Sequence, residues 1–438
     1  MKTVNQTLGF YTPAFFKIYI RTVQPIDPAN LSNQELSTFI HEYTHFIQDF
    51  TTLYGLSNIY NIFDWLRLYV NEIYKVRKVQ LPIKCSNETL EVNNLIQNIS
   101  WGTPKIYNSV SAIKNVQVKP HSFTKDVLTK FPCLSGFRKV EMEIETQGQW
   151  LSIEFGSLAI MESMSHMMEQ FLNPTCVTYS PDYPYNIVQI LVKSLCPQLS
   201  NNNEMIFALC DIALQTSIPG VAFFEMVEQI RDNKVPIIIK CADDIYACFN
   251  RQFQPWQNFR DPQNIVYQAM DHLQTLVQGP MSVHYQQWIN NMQKKAIHLR
   301  TKYPSFLLDI IRAGNVKNNK LFLDFVNDIG TPLLVNSEGF MSKIPAAINK
   351  NSTGMDVEFF QAINYIFSLL TEGDVKCPLQ KWCKVSGICV DSNCIINPPA
   401  HSNITKYANF CPVGVLWYSW NLKKYTIRQP FLFRRICN

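Results

Sequence analysis

Ser32-Asn-Gln-Glu-Leu-Ser-Thr-Phe-Ile-His-Glu-Tyr-Thr-His-Phe-Ile-Gln-Asp-Phe-Thr-Thr-Leu-Tyr-Gly55 is the stretch on which the fold turns. Ser32 stands three residues before Glu35, the capping-box spacing in which each side chain takes up the other's free backbone N–H. From Leu36 onward apolar residues recur at helical spacing, and Gly55 offers a stop. Inside this helix lies His41-Glu42-Tyr43-Thr44-His45. Histidines four residues apart share one helical face and can grip the same Zn2+ through ring nitrogens. The glutamate after the first is then placed to act as general base toward a water the metal activates.

Working outward, Phe15 to Val23 is aromatic and β-branched and reads as one strand within residues 8–24. A second helix is expected over about 57–79. Residues 80–155 change to alternating segments, with a hairpin turning near Gln147-Gly148. Helical spacing returns at Leu158 and ends before Pro174, and residues 186–330 read as mostly helical. The expected class is α+β, predominantly helical. Three regions follow: a core at 1–185 with a β-rich insertion at about 80–155, a helical domain at 186–330, and a Cys-rich C-terminal region at 331–438.

The segment from Ile40 to Thr51 resembles the active-site helix of the gluzincin metallopeptidases, including the thermolysin type, which carries His-Glu-x-Thr-His and an Asp four residues later. The extended metzincin motif is absent, since Gln48 and Thr51 stand where that family has Gly and His. The resemblance implies a zincin-like core with the metal helix at the floor of a cleft and a strand at its rim. It also implies a third ligand, a glutamate from a later helix. Glu162, in Gly156-Ser-Leu-Ala-Ile-Met-Glu, is the preferred candidate, and Glu72, in Val70-Asn-Glu-Ile-Tyr, is the alternative. His166, one turn after Glu162, occupies the place of an orienting Asp in thermolysin-like enzymes and is either an oxyanion donor or a core histidine. Glu169 and Asp49 are candidates for holding a ligand histidine from behind. Tyr183 or Tyr185 is the candidate hydroxyl donor to a developing oxyanion. The strand at 149–155 is a candidate for edge pairing with a peptide.

Thirteen cysteines are present, five of them between Cys377 and Cys411. Cys377, Cys383, Cys394 and Cys411 are expected as thiolate ligands of a second, structural Zn2+, against the alternative of buried thiols packed with Trp382, Trp417 and Trp420. Of the 438 residues 47% are hydrophobic and 17% charged, with a net charge of +5, which excludes disorder and argues against a nucleic-acid partner. No apolar run reaches membrane-spanning length. Pro13 and Lys17 break the apolar start, so no signal peptide is expected, and the chain is read as cytoplasmic and reduced. The expected function is zinc-dependent hydrolysis of a peptide or protein substrate. The alternative is a non-catalytic scaffold with a vestigial metal site and a Cys-rich zinc module.

Overall fold

The computed structural model describes residues 8–76, 78–84, 88–103, 110–122, 125–130, 138–176, 180–252, 283–344, 357–373, 375–387, 411–422 and 426–428. The chain is α+β and predominantly helical. It opens with strands β1 (Gly9–Thr12) and β2 (Lys17–Ile20), then helices α1 (Asn33–Thr51) and α2 (Leu53–Lys75). Strand β3 (Lys78–Gln80), helix α3 (Glu88–Trp101), strand β4 (Ile113–Ser122), helix α4 (Lys125–Lys130) and strands β5 (Arg138–Thr146) and β6 (Gln149–Phe155) follow. Helices α5 (Ser157–Leu172), α6 (Ile187–Leu195), α7 (Asn203–Ala213), α8 (Pro219–Arg231), α9 (Ala242–Gln252), α10 (Val283–Lys302), α11 (Phe306–Arg312) and α12 (Lys320–Ile329) form the middle. Strands β7 (Leu333–Val335) and β8 (Met341–Ser342), helices α13 (Val357–Glu372), α14 (Gln380–Val385) and α15 (Pro412–Ser419), and strand β9 (Thr426–Arg428) complete it.

The single strand expected at 8–24 is a hairpin. β1 and β2 pair antiparallel, Gly9 opposite Ile20, around a turn in which Ala14 and Phe16 take positive φ. Pro13 is the one standard turn residue there, and a distant side chain holds the rest: Ala14 N–H donates to the Asp49 carboxylate at 2.8 Å. β2 then pairs in parallel with β7, Ile18 opposite Leu334, so residues beyond 330 complete the N-terminal sheet β1-β2-β7-β8. β3 likewise pairs with β9, and one buried core runs from Ala14 to Leu422 across the three sequence regions. Residues 80–155 hold the three-stranded sheet β4-β5-β6 together with α3 and α4, so the segment is less exclusively β than its alternation suggests. The β5–β6 turn places Gln147 and Gly148 both at positive φ, the conformation a two-residue hairpin favours.

The capping box at the start of α1 forms: Ser32 Oγ receives Glu35 N–H, and Ser32 N–H donates to the Glu35 carboxylate. The stop comes at Thr52, before the expected Gly55. Thr52 ends α1 and its hydroxyl caps α2 by accepting Gly55 N–H at 3.0 Å. Gly55 instead permits contact. A Cβ there would lie 2.2–2.5 Å from backbone atoms of Asp49, so α2 folds back directly onto the last turn of α1.

Candidate metal centre

α1 is buried along almost its whole length, and the burial includes Ser37, His41, Glu42, His45, Gln48 and Asp49. Buried polar side chains need partners. Ser37, His41, His45 and Gln48 recur at spacings of four, four and three, one stripe along the helix. Facing it is a matching stripe on α5, which carries Glu162, Ser165 and Glu169.

His41 Nε2 lies 3.1 Å from Glu162 Oε2 and 3.2 Å from His45 Nε2, and His45 Nε2 is 3.6 Å from the same Glu162 oxygen. The outward ring nitrogens face acceptors. His45 Nδ1 donates to Gln48 Oε1 at 2.9 Å and lies 3.3 Å from Ser165 Oγ, and His41 Nδ1 faces Glu169 Oε2 at 3.4 Å. With Nδ1 carrying the proton in each neutral ring, both Nε2 atoms present lone pairs toward each other and toward a carboxylate. Three electron-rich atoms converging in a buried space repel unless a proton or a metal cation sits among them. For metal–ligand bonds of 2.0–2.1 Å, a tetrahedron has ligand–ligand edges of about 3.3–3.4 Å. The observed 3.1, 3.2 and 3.6 Å bracket that edge. Among the described residues, His41, His45 and Glu162 are the one group of three or more ligating side chains close enough to share an ion, and two imidazoles with a carboxylate suit a first-row divalent metal.

In the metal-free chain the positive charge can be a proton on His41, which a metal would displace. Burial opposes a charge on His41, but hydrogen bonds to Glu162 and Glu169 and the nearby Glu42 outweigh it and raise its pKa well above the usual imidazole value. Burial likewise opposes ionisation of Glu162, yet the attraction of His45 and the hydrogen bond to His41 hold its carboxyl well below the ordinary range. Glu169 is held low in the same way by His166, His41 and the Ser37 hydroxyl, which donates to it at 2.6 Å. The pocket is built for positive charge.

Glu42 sits beside this group, 7% exposed. Burial and then Glu162 push its pKa upward against the two histidines and, more weakly, the Tyr11 backbone of β1. β1 crosses close to the helix here: a Cβ on Gly9 would lie 2.5 Å from Thr38 Cγ2 and 3.3 Å from Glu42 Cγ. The His41 and His45 side chains are 11% and 10% exposed, and that of Glu162, at 17%, is the more open.

The remaining candidates fall in different places. Glu72 lies away from the histidines and pairs with Lys75 on α2. Asp49 contacts neither ligand histidine through a hydrogen bond; it holds Ala14 N–H and the Tyr11 hydroxyl, each at 2.8 Å. His166 is buried with Nδ1 3.4 Å from Glu169, while its Nε2 receives Gln170 Nε2–H at 3.0 Å. Both of its nitrogens are thus engaged on α5. The Tyr183 hydroxyl donates to Thr103 O at 2.9 Å, and burial, with Glu162 nearby, raises its pKa. Tyr185 is the tyrosine beside the cluster, its ring edge-on to His41 at 5.7 Å and to His166 at 5.8 Å. Strand 149–155 is β6, an edge of its sheet, while β1 is the edge strand alongside α1.

Sequence reasoning missed Ser37, Gln48 and Ser165, although the four-residue recurrence of polar residues through an otherwise apolar helix was the available signal. Of the cysteines expected to bind zinc, Cys383 is buried, Cys377 and Cys411 are half-buried against the core, and Cys394 lies outside the described residues. Among the described residues no helix is long and apolar enough to cross a membrane. No protein-family model matches the chain, and no curated protein or solved structure is significantly similar to it.

Proposed function

We propose that the protein is a zinc-dependent metallopeptidase with a zincin-like core, in which α1 is the floor, α5 brings the third ligand and β1 forms the rim. His41, His45 and Glu162 would hold the ion, which when bound supplies Lewis acidity toward water and a carbonyl oxygen. Glu42 takes the proton from the attacking water and delivers it to the departing amine nitrogen. Its burial suits this task, because a carboxylate of raised pKa is a better base and surrenders the proton in the second half of the reaction. Glu169 and Gln48 hold the two imidazoles in the tautomer that turns Nε2 inward. The observation that carries the reading is the convergence of two Nε2 atoms and a carboxylate oxygen at tetrahedral-edge distances, with Glu42 next to the first ligand.

The low exposure of the ligands supports a second reading, a scaffold whose metal ties α1 to α5 without turnover. Metal-loaded wild type and Glu42→Gln, incubated with a complex peptide mixture and followed by mass spectrometry, separate the two. The peptidase reading expects cleavage by wild type and a loss of about 10²–10⁴-fold in Glu42→Gln with metal retained. Equal cleavage by both proteins refutes the mechanism, and no cleavage by either favours the scaffold.

A further inference from the structure

The geometry points to Gln48 as a positioning residue that sets the tautomer of one metal ligand and the spacing of the two ligand helices at once, an inference that rests on the metal-site reading above. Gln48 lies one turn after His45 on α1 and is 1% exposed. Its Oε1 accepts the Nδ1–H of His45 at 2.9 Å. Its Nε2 donates to the backbone carbonyl of Met161, the residue before Glu162, at 3.2 Å. One amide therefore ties a ligand on α1 to the backbone that carries the ligand on α5, across the His45–Glu162 edge of 3.6 Å, the longest of the three. Both polar ends of the side chain are used, each on a different ligand's support.

A neutral amide also fits the charge balance. Glu42, Glu162 and Glu169 already surround the two histidines. A carboxylate behind His45 would add a further negative charge, whereas an amide oxygen fixes the ring orientation without one. Ser165 Oγ on α5, at 3.3 Å from the same Nδ1, is a second and longer link between the two helices, and it reaches His45 without touching the backbone beside Glu162.

The test measures Zn2+ affinity of the full-length protein by chelator competition for wild type, Gln48→Leu, Gln48→Asn and Gln48→Glu, with folding checked by circular dichroism. Gln48→Leu removes acceptor and donor, and Gln48→Asn keeps a buried amide but withdraws it by one methylene. Both are expected to weaken Zn2+ binding by about 10–100-fold, the range for loss of a partner behind a ligand. Gln48→Glu keeps the acceptor to His45 but loses the donor to Met161, so it is expected to bind Zn2+ more tightly than Gln48→Asn and more weakly than wild type, a partial rescue that a purely packing role would not give. Gln48→Asn carries the comparison if the leucine variant does not fold. Wild-type affinity in the folded leucine or asparagine variant overturns the inference, as does a loss in Gln48→Glu as large as that in Gln48→Asn. A wild type that binds no Zn2+ instead overturns the metal-site reading, and this inference with it.

Discussion

Arg300→Met is the perturbation whose cost the structure defines best. The Arg300 and Asp211 side chains are 2% and 0% exposed and form a two-pronged pair, Nη1 to Oδ2 at 2.7 Å and Nη2 to Oδ1 at 2.8 Å. Arg300 Nε also donates to the Thr51 carbonyl at 2.9 Å, and Nη2 to the Thr51 hydroxyl at 3.1 Å. The guanidinium thus caps the last turn of α1, where a cation also complements the helix dipole. Arg300→Met leaves Asp211 buried with the Tyr246 hydroxyl, at 2.6 Å, as the side-chain donor still facing it. Breaking a buried pair from one side costs about 3–5 kcal/mol, most of it from the stranded charge. Adding Asp211→Asn removes that charge while preserving an acceptor for Tyr246, so the double variant should cost about 1–3 kcal/mol, the scale of unmade hydrogen bonds. Equilibrium urea unfolding of wild type, both single variants and the double variant measures this. A cost below about 1 kcal/mol for Arg300→Met, or a double variant less stable than Arg300→Met alone, refutes the reasoning.

Gly55→Ala should destabilise by about 1–3 kcal/mol in the same assay, because its Cβ would meet the Asp49 backbone and the gain in helix propensity is smaller; a stabilised variant would contradict the close approach of α2 to α1. Burial raises the Asp49 carboxyl from 3.8 to about 7, so in metal-free protein the folded state binds more protons than the unfolded state between those values. Stability conferred by this group is present below pH 4 and is lost as pH rises through 7, by a few kcal/mol. Wild type should therefore lose stability relative to Asp49→Asn across that window, and parallel stability–pH curves for the two proteins would refute the assignment.

What the sequence conveys here is local. The Ser32–Glu35 cap, the one-turn spacing of His41 and His45, and the Gln147–Gly148 turn are each set within a few residues, and short-range patterns reveal them. Glu162 was legible only as one of two glutamates, because its place depends on how α5 packs against α1. The β1–β2 turn was hidden for a similar reason: Pro13 is its one local signal, the aromatic run around it reads as a single strand, and the turn is fixed by Asp49, 35 residues from Ala14. The pairing of β2 with β7, the Gln48 bridge to Met161 and the Arg300 pair with Asp211 join segments more than 80 residues apart, where periodicity says nothing about partners. Buried polar residues on α1 were the one long-range clue, since each required a partner somewhere in the chain.

The most direct test of the central claim is the metal content of purified wild type, His45→Ala and Glu162→Ala, by elemental mass spectrometry after exhaustive dialysis against Zn2+ at fixed free concentration. The account predicts that wild type holds about one Zn2+ more per chain than either folded variant. Equal metal in all three proteins, or none in wild type, would contradict it.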